Sequence, residues 1–343
     1  MKTQISGQHI DTIGVQPPTI LNTKFSPGLL SRAFFILLLI ATTVATGAAQ
    51  SIYVSNIVQF GSGSLAYINE YGPDGTLVND DMLVFGGGRE VTGLAWSAGS
   101  LFVPILNTGF SDTVNKYNAN TAATDLLFHF NAGSVTNPQG AAVFGNLLFI
   151  ATNGVTGVYN ATTGAQITLL GGVLFPQYVA VSPGPGGTVN VFVTQVDIYG
   201  SVPPPNSGAI HKYTVSSTGA LISGPTTLVP NLNFPEGIAV SSDGKTVYVV
   251  IPQTFSNFNV GEIDAYDTTT GIGAPLIKNM SGVPWDIAVS ASNLFVTLST
   301  ANAVGEYNFN TGVYNPSFIS GSGSNADLNY PRGIALGVGG PCM

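Results

Sequence analysis

The sequence is poor in charge: charged residues make up 8% of its 343 positions, and the formal net charge is −8. Its nine lysines and arginines are scattered, whereas a nucleic-acid-binding protein needs a basic face to neutralise phosphates. Amphipathic segments rich in Lys, Glu, Arg and Ala are also missing, which argues against a helical protein. We therefore exclude nucleic acid as a partner. Short strands are favoured, because 43 glycines and 21 prolines interrupt a chain that is 44% hydrophobic.

Motifs of enzyme chemistry are scarce as well. The one cysteine, Cys342, can form neither an internal disulfide nor a thiolate metal cluster. His129 and His211 lack the HxxxH or HxH spacing of metal ligands, and no GxSxG nucleophile turn occurs. Whether the protein is an enzyme stays open at this stage, and the sequence leans against it.

The first 49 residues have the pattern of a leader. Residues 33–44 read AFFILLLIATTV, with Arg32 before them and small residues 45–49 after them. This is the order of a secretory signal, and the apolar run is shorter than the roughly 20 residues of a bilayer span. A retained signal anchor, and with it a membrane attachment, is the alternative. We expect residues 50–343 to form a single domain that is secreted or otherwise extracytoplasmic, in the periplasm or at the cell surface.

Three sequence signatures each occur six times, at spacings of about 40 to 60 residues. A tyrosine followed by a turn sequence stands at Tyr71, Tyr117, Tyr159, Tyr213, Tyr266 and Tyr307. Short β-branched and aromatic runs begin at Ile52, Leu101, Leu148, Val191, Val247 and Leu294. Small apolar runs, most of them led by proline, begin at Thr92, Pro138, Pro176, Pro235, Pro284 and Pro331. These periods are typical of β-propeller blades.

The phase of the repeats predicts how the ring closes. After the leader the chain starts with a second-strand run at Ile52, and it ends with a first-strand run at residues 333–336. The two halves complete one blade, which removes the free sheet edges. The predicted fold is all-β: a six-bladed β-propeller with four-stranded blades, closed by N- and C-terminal strands that share one blade.

The runs PEGIAVSSDGKTVYVV and PWDIAVSASNLFV resemble those of NHL-repeat propellers and of the gluconolactonase family, once called senescence marker proteins. The similarity covers the repeat skeleton from about Ser51 to Leu336. It implies the propeller fold, but it specifies function weakly because propellers have many activities.

A ring of polar residues leads into the innermost strands and is the candidate ligand site at the channel mouth. These residues are Glu90, Gln139, Gln177, Glu236, Trp285 with Asp286, and Arg332. The alternative is a solvated channel lined by hydrogen-bonded polar groups.

The gluconolactonase resemblance implies a metal held by a glutamate, an asparagine and an aspartate of this ring. It places the glutamate at Glu90, the metal asparagine at Glu236, the aspartate at Trp285 and the substrate asparagine at Gln177. Only Glu90 matches by identity. Asp286 stands one position from the expected aspartate, on the opposite face of a strand. Glu90, Glu236 and Asp286 are therefore the candidate ligands of a divalent cation, calcium or zinc, although no cofactor is firmly implied.

Two insertions are expected on the same face, at residues 196–208 and 252–261. They carry Tyr199, Phe255 and Phe258, which suit sugar or peptide binding if they are exposed and which cap the blades if they fold down.

The leading hypothesis is an exported, monomeric binding or scaffold propeller for a protein, peptide or glycan. The alternatives are a divergent metal-dependent lactonase or esterase that uses Glu90, Glu236 and Asp286, and a cell-surface structural protein with no small ligand.

Overall fold

The computed structural model describes residues 50–60, 63–107, 112–128, 130, 136–196, 206–252, 260–321 and 328–337. The predicted leader, Cys342, His129 and the insertion aromatics Tyr199, Phe255 and Phe258 lie outside the described residues. Within the described ranges, no helix is long and apolar enough to span a membrane.

The described chain consists almost entirely of short strands. In order they are β1 (Ser51–Phe60), β2 (Gly63–Tyr71), β3 (Leu77–Phe85), β4 (Arg89–Glu90), β5 (Ala95–Ser97), β6 (Ser100–Asn107), β7 (Thr113–Asn118), β8 (Ala141–Phe144), β9 (Leu147–Thr152), β10 (Val155–Asn160), β11 (Gln166–Leu170), β12 (Pro176–Pro183), β13 (Val189–Gln195), β14 (Gly208–Val215), β15 (Leu221–Leu232), β16 (Ile238–Val240), β17 (Thr246–Ile251), β18 (Val260–Asp267), β19 (Gly273–Ser281), β20 (Pro284–Val289), β21 (Asn293–Leu298), β22 (Ala303–Asn308), β23 (Val313–Ser320) and β24 (Pro331–Gly337). Short 3-10 turns lie at Pro185–Gly187 and Ser299–Ala301.

The strands form six antiparallel sheets, and each sheet is one blade of a propeller. From the innermost strand outwards, blade 1 is β24-β1-β2-β3, blade 3 is β8-β9-β10-β11, and blade 4 is β12-β13-β14-β15. Blade 5 is β16-β17-β18-β19 and blade 6 is β20-β21-β22-β23. The innermost strands contact one another in the order β24, β5, β8, β12, β16, β20 and back to β24. The ring is therefore closed, and the predicted six-bladed propeller is confirmed.

The two ends of the described chain share blade 1, as the phase of the repeats predicts. β1 pairs antiparallel with β24, and Ile52 lies opposite Leu336. The next strand along the sheet, β2, then pairs with the free side of β1. This closure leaves β1 without an unpaired edge at the centre of the molecule.

Blade 2 is less regular than the others. Two short strands, β4 and β5, share the innermost position and both pair with β6, while β7 pairs with the other edge of β6. Among the described residues, the outer position is marked by an isolated bridge between Tyr117 and Thr124.

Two of the sequence signatures lie opposite each other in every blade. The first residue of each second-strand run pairs with the tyrosine of the third strand. The six pairs are Ile52–Tyr71, Leu101–Tyr117, Leu148–Tyr159, Val191–Tyr213, Val247–Tyr266 and Leu294–Tyr307. The tyrosines also join clusters between neighbouring blades; Tyr71 of blade 1, for example, packs with Phe295 and Val304 of blade 6. The repeat is thus the unit of packing between blades.

The turn after the tyrosine is set by a local hydrogen-bonding side chain. In four blades an Asn or Asp follows the tyrosine and accepts hydrogen bonds from two backbone N–H groups of the turn. These residues are Asn118, Asn160, Asp267 and Asn308. Such Asx turns reverse the chain into the fourth strand. The repeated sequence therefore encodes both the strand and its turn.

Candidate functional site

The innermost strands converge at the propeller axis through one pair of positions in each blade. These pairs are Thr92–Gly93, Gln139–Gly140, Gln177–Tyr178, Glu236–Gly237, Trp285–Asp286 and Arg332–Gly333. The glycines allow very close approach between strands. A Cβ on Gly140 would lie 2.6 Å from Tyr178 Cα, and one on Gly237 would lie 2.6 Å from Asp286 Cα. The second position thus holds four glycines, one tyrosine and one aspartate, and the last two supply the side chains at the axis.

Tyr178 plugs the axis. Its side chain is 3% exposed, and its hydroxyl crosses from blade 4 to donate a 2.7 Å hydrogen bond to the Thr92 carbonyl of blade 2. Burial raises the pKa of Tyr178 well above its usual value, and the nearby carboxyl groups of Asp286 and Glu236 raise it further. The indole N–H of Trp285 is near enough to lower this pKa, although it completes no well-formed hydrogen bond. Groups from blades 2, 5 and 6 therefore act on this hydroxyl of blade 4.

Two buried carboxyl groups lie beside Tyr178. Asp286 Oδ1 accepts a 2.8 Å hydrogen bond from the Ile287 N–H, and Oδ2 accepts a 3.0 Å bond from the Ile334 N–H of blade 1. Burial raises the pKa of Asp286 to about 8, although these two backbone N–H groups act to lower it. Burial also raises the pKa of Glu236 to about 8; the Arg332 charge lowers this pKa and Asp286 raises it. Both groups are therefore largely protonated at neutral pH.

This pair predicts that stability falls as the pH rises. Between pH 4.5, the ordinary pKa of Glu236, and about 8, its raised value, the unfolded chain releases a proton that the folded protein keeps. The folded state then binds more protons, so the free energy of unfolding decreases across that window. We expect a loss of at least ~1.4 kcal/mol, the equivalent of one pKa unit, between pH 5 and pH 8 in urea unfolding. Glu236→Gln should flatten the curve; an unchanged slope in that variant would contradict the assignment.

A cavity of about 190 Å³ opens between blades 5, 6 and 1, on the face where the chain enters the innermost strands. Phe234, Pro252, Val283, Trp285, Ser299, Thr300, Tyr330 and Arg332 line it. Loops before innermost strands contribute Phe234, Val283 and Tyr330, and the β21–β22 connection contributes Ser299 and Thr300. Trp285 and Arg332 belong to the innermost strands β20 and β24. We call this space the upper cavity.

Arg332 is the cation of the upper cavity. Its Cζ lies 3.6 Å from the centroid of the Trp285 ring and 5.3 Å from that of Tyr330. Such stacking fixes the guanidinium while leaving its in-plane N–H donors available. Within the described part of the chain, the buried Nε of Arg332 and Nε1 of Trp285 have no hydrogen-bond partner. Both of these nitrogens are buried, so any ligand in the cavity would contact the terminal N–H groups of Arg332.

A second space lies along the axis, bordered by the six innermost strands. It has a volume of about 240 Å³, and small and aliphatic residues of the innermost strands line it, among them Ala141, Ala180, Ala239, Ala288 and Ala335. It contains no charged lining residue. We therefore assign the candidate site to the upper cavity.

The structure brings together only part of the predicted ring. Trp285 and Arg332 line the upper cavity, and Glu236 and Asp286 lie buried next to them. The side-chain amides of Gln139 and Gln177 bond to the loops that precede them, donating to Asn137 Oδ1 at 2.9 Å and to the Phe175 carbonyl at 3.1 Å.

Glu90 does not occupy the ring position of blade 2, which Thr92 holds. Glu90 lies at the end of β4, opposite Leu106. The sequence interpretation also missed Tyr178, Phe234 and Tyr330. Aligning the six innermost runs would have singled out Tyr178, because it stands where four blades have glycine.

The candidate cation ligands are not assembled into a binding group. Across the described ranges, no three His, Cys, Asp or Glu side chains are grouped so as to hold a metal ion. Both oxygens of Asp286 already accept backbone hydrogen bonds, and Glu90 lies on β4 of blade 2. These residues do not fit a calcium site, which takes six to eight oxygens.

Comparison with known proteins identifies the class by fold. No protein-family model and no curated protein matches the chain in sequence. Among solved structures, the chain is similar to one described as the crystal structure of a nidogen/laminin complex, with TM-score 0.58, 13% identity, and coverage of 84% of this chain and 98% of that one.

Two further structures show a similar architecture. Hydrazine synthase of Kuenenia stuttgartiensis matches with TM-score 0.50 and 15% identity, over 79% of each chain. A functionally unknown protein from Desulfotomaculum acetoxidans DSM 771 matches with TM-score 0.50 and 13% identity, over 76% of this chain and 78% of that one. These likenesses place the chain among the β-propellers. The finer resemblance to NHL and gluconolactonase propellers stays a prediction.

Proposed function

We propose that this chain is an exported binding module that recognises a peptide segment of a partner protein in the upper cavity. The proposal rests on the Arg332 guanidinium, which lies over Trp285 and beside Tyr330 in a cavity whose other lining residues are uncharged. Aromatic and arginine side chains in such pockets are typical anchors of protein recognition.

A repeated backbone turn places two aromatic residues at the cavity. Phe234 and Tyr330, which both line it, have positive φ angles of 58° and 48°. Asn137 and Phe175 have the same left-handed conformation before the innermost-strand prolines of blades 3 and 4, so the turn belongs to the repeat. In blades 5 and 1 this position carries an aromatic side chain that lines the upper cavity.

The comparison gives limited support of the same kind. The structure with TM-score 0.58 was solved as a nidogen/laminin complex, which is an assembly of proteins. At 13% identity the likeness concerns the fold, so the partner of this chain is not inferred from it. Export rests on the leader pattern of residues 1–49.

The test is selection of random dodecapeptides displayed on phage against the immobilised protein, followed by affinity measurement of the enriched peptides. We expect related sequences to be enriched, and Trp285→Ala to weaken their binding at least ~30-fold, as for a binding hot spot of 2 kcal/mol or more. Val313→Ala is the matched control, because Val313 is an exposed apolar residue of β23 in the same blade.

Equal binding by wild type and Trp285→Ala would contradict the assignment of this face. Failure to enrich any peptide, together with binding on a glycan array that Trp285→Ala abolishes, would replace the peptide with a sugar ligand.

A further inference from the structure

We infer that the ligand anchors itself by a carboxylate on an apolar stem, held in the upper cavity by the in-plane N–H donors of Arg332. This inference rests on the proposed function and specifies its ligand. A peptide offers such a group as an acidic side chain or as its chain terminus.

Arg332 forms no ion pair with any residue that the structure describes. Among the described residues, no carboxylate oxygen lies within 4.0 Å of its guanidinium nitrogens, and the ion pairs there join Lys116 to Asp125 and Lys245 to Asp243. Asp286 is engaged with two backbone N–H groups. Burial favours the neutral form of Glu236, and the Arg332 charge acts in the opposite direction. An anion entering the cavity therefore meets a partly buried cation that has no ion-pair partner among the described residues.

The stacking geometry favours a planar acceptor. The Trp285 ring, 3.6 Å from Arg332 Cζ, covers a face of the guanidinium. The N–H donors of the guanidinium lie in its plane, and those of its two terminal nitrogens are the ones that a ligand would contact. A carboxylate accepts two parallel hydrogen bonds from such an edge.

The surroundings select against polyanions. Phe234, Pro252 and Val283 supply apolar wall, and Arg332 is the one charged residue among the lining residues. The single positive charge of Arg332 leaves one charge of a phosphate dianion unmatched, and a net charge of −8 disfavours the approach of multiply charged anions. A single carboxylate with an apolar stem matches both the charge and the walls.

The experiment is a titration of the whole protein at pH 7 with small probes, followed by tryptophan fluorescence, since Trp285 is one of the two tryptophans in the chain. The probes are N-acetyl-leucine and its amide, then N-acetyl-glutamic acid α-amide and the matching glutamine compound. Inorganic phosphate and glucuronate complete the set. We expect each peptide carboxylate to bind at least ~10-fold more tightly than its uncharged counterpart. Tighter binding of N-acetyl-leucine would indicate a chain terminus, and tighter binding of N-acetyl-glutamic acid α-amide would indicate an acidic side chain.

Three variants decide the role of Arg332. Arg332→Gln should abolish the preference for acid over amide, and Arg332→Lys should retain only part of it because lysine lacks the planar fork. Arg89→Gln, which removes an exposed arginine on β4, should leave it unchanged. Melting temperatures of all three show whether each variant is folded.

Fragments of this size are expected to bind with dissociation constants on the order of 1 mM. The inference is overturned if acids and amides bind equally, or if phosphate or glucuronate binds most tightly. It is also overturned if no probe binds at concentrations up to ~50 times that dissociation constant. If selected peptides still require Trp285 while acid and amide bind equally, the proposed function stands and only the carboxylate anchor fails.

Discussion

Deletion of residues 331–343 is expected to abolish the cooperative unfolding transition of the propeller, or to lower the melting temperature by more than ~10 °C. The deletion removes β24, which pairs with β1 and buries Ile334 and Ala335. It also removes the Arg332 carbonyl that accepts a 2.7 Å hydrogen bond from Thr297 of blade 6. The deletion would leave β1 with a free edge and would open the ring. A decrease of more than ~5 kcal/mol in the free energy of unfolding lowers the melting temperature of a large domain by more than ~10 °C.

The control is deletion of residues 338–343, which leaves every residue of β24 in place. Differential scanning calorimetry of both truncated proteins checks the prediction. A cooperative transition near the wild-type temperature in the longer deletion would show that the ring does not depend on closure by the chain ends.

Replacement of Tyr178 by alanine is expected to destabilise the protein by about 3–5 kcal/mol, the cost of removing a large aromatic side chain from a packed interior. Tyr178→Phe should cost about 1–3 kcal/mol, because it leaves the buried carbonyl of Thr92 without its 2.7 Å hydrogen bond. Comparison of the two variants separates the stability contributed by packing of the Tyr178 ring from that contributed by its hydrogen bond to Thr92.

Urea unfolding at pH 7 measures these differences. Tyr330→Phe is the matched control: Tyr330 is 41% exposed, so loss of its hydroxyl should change stability by less than ~0.5 kcal/mol. A Tyr178→Ala variant as stable as the Tyr330→Phe variant would mean that the axis is not closed by this side chain.

The repeats made the fold predictable because each blade repeats the same local chemistry. The pairing of Ile52 with Tyr71 recurs at equivalent positions in all six blades, and Asn or Asp turns follow four of the tyrosines. The phase of the first and last runs fixed the shared blade, since β1 needs an innermost partner. The sequence pattern within each blade and the closure of the whole ring therefore predict the same fold.

The site was less predictable because it depends on contacts across the axis. Tyr178 donates a hydrogen bond to Thr92, 86 residues away, and the local sequence around either residue does not predict that contact. Glu90 lies two residues before the ring position that Thr92 occupies, in a blade that divides its innermost strand into β4 and β5. Trp285 and Arg332 were named as ring residues, but their stacking follows from the packing of blade 6 against blade 1.

A crystal structure of the protein with the tightest-binding peptide from the phage selection would locate the recognition site directly. We expect the peptide to occupy the upper cavity, with a carboxylate within ~3 Å of the Arg332 nitrogens and an apolar stem against Phe234 and Trp285. A peptide bound along the outer strands, or at the opposite end of the axis, would contradict the assignment of the upper cavity as the recognition site.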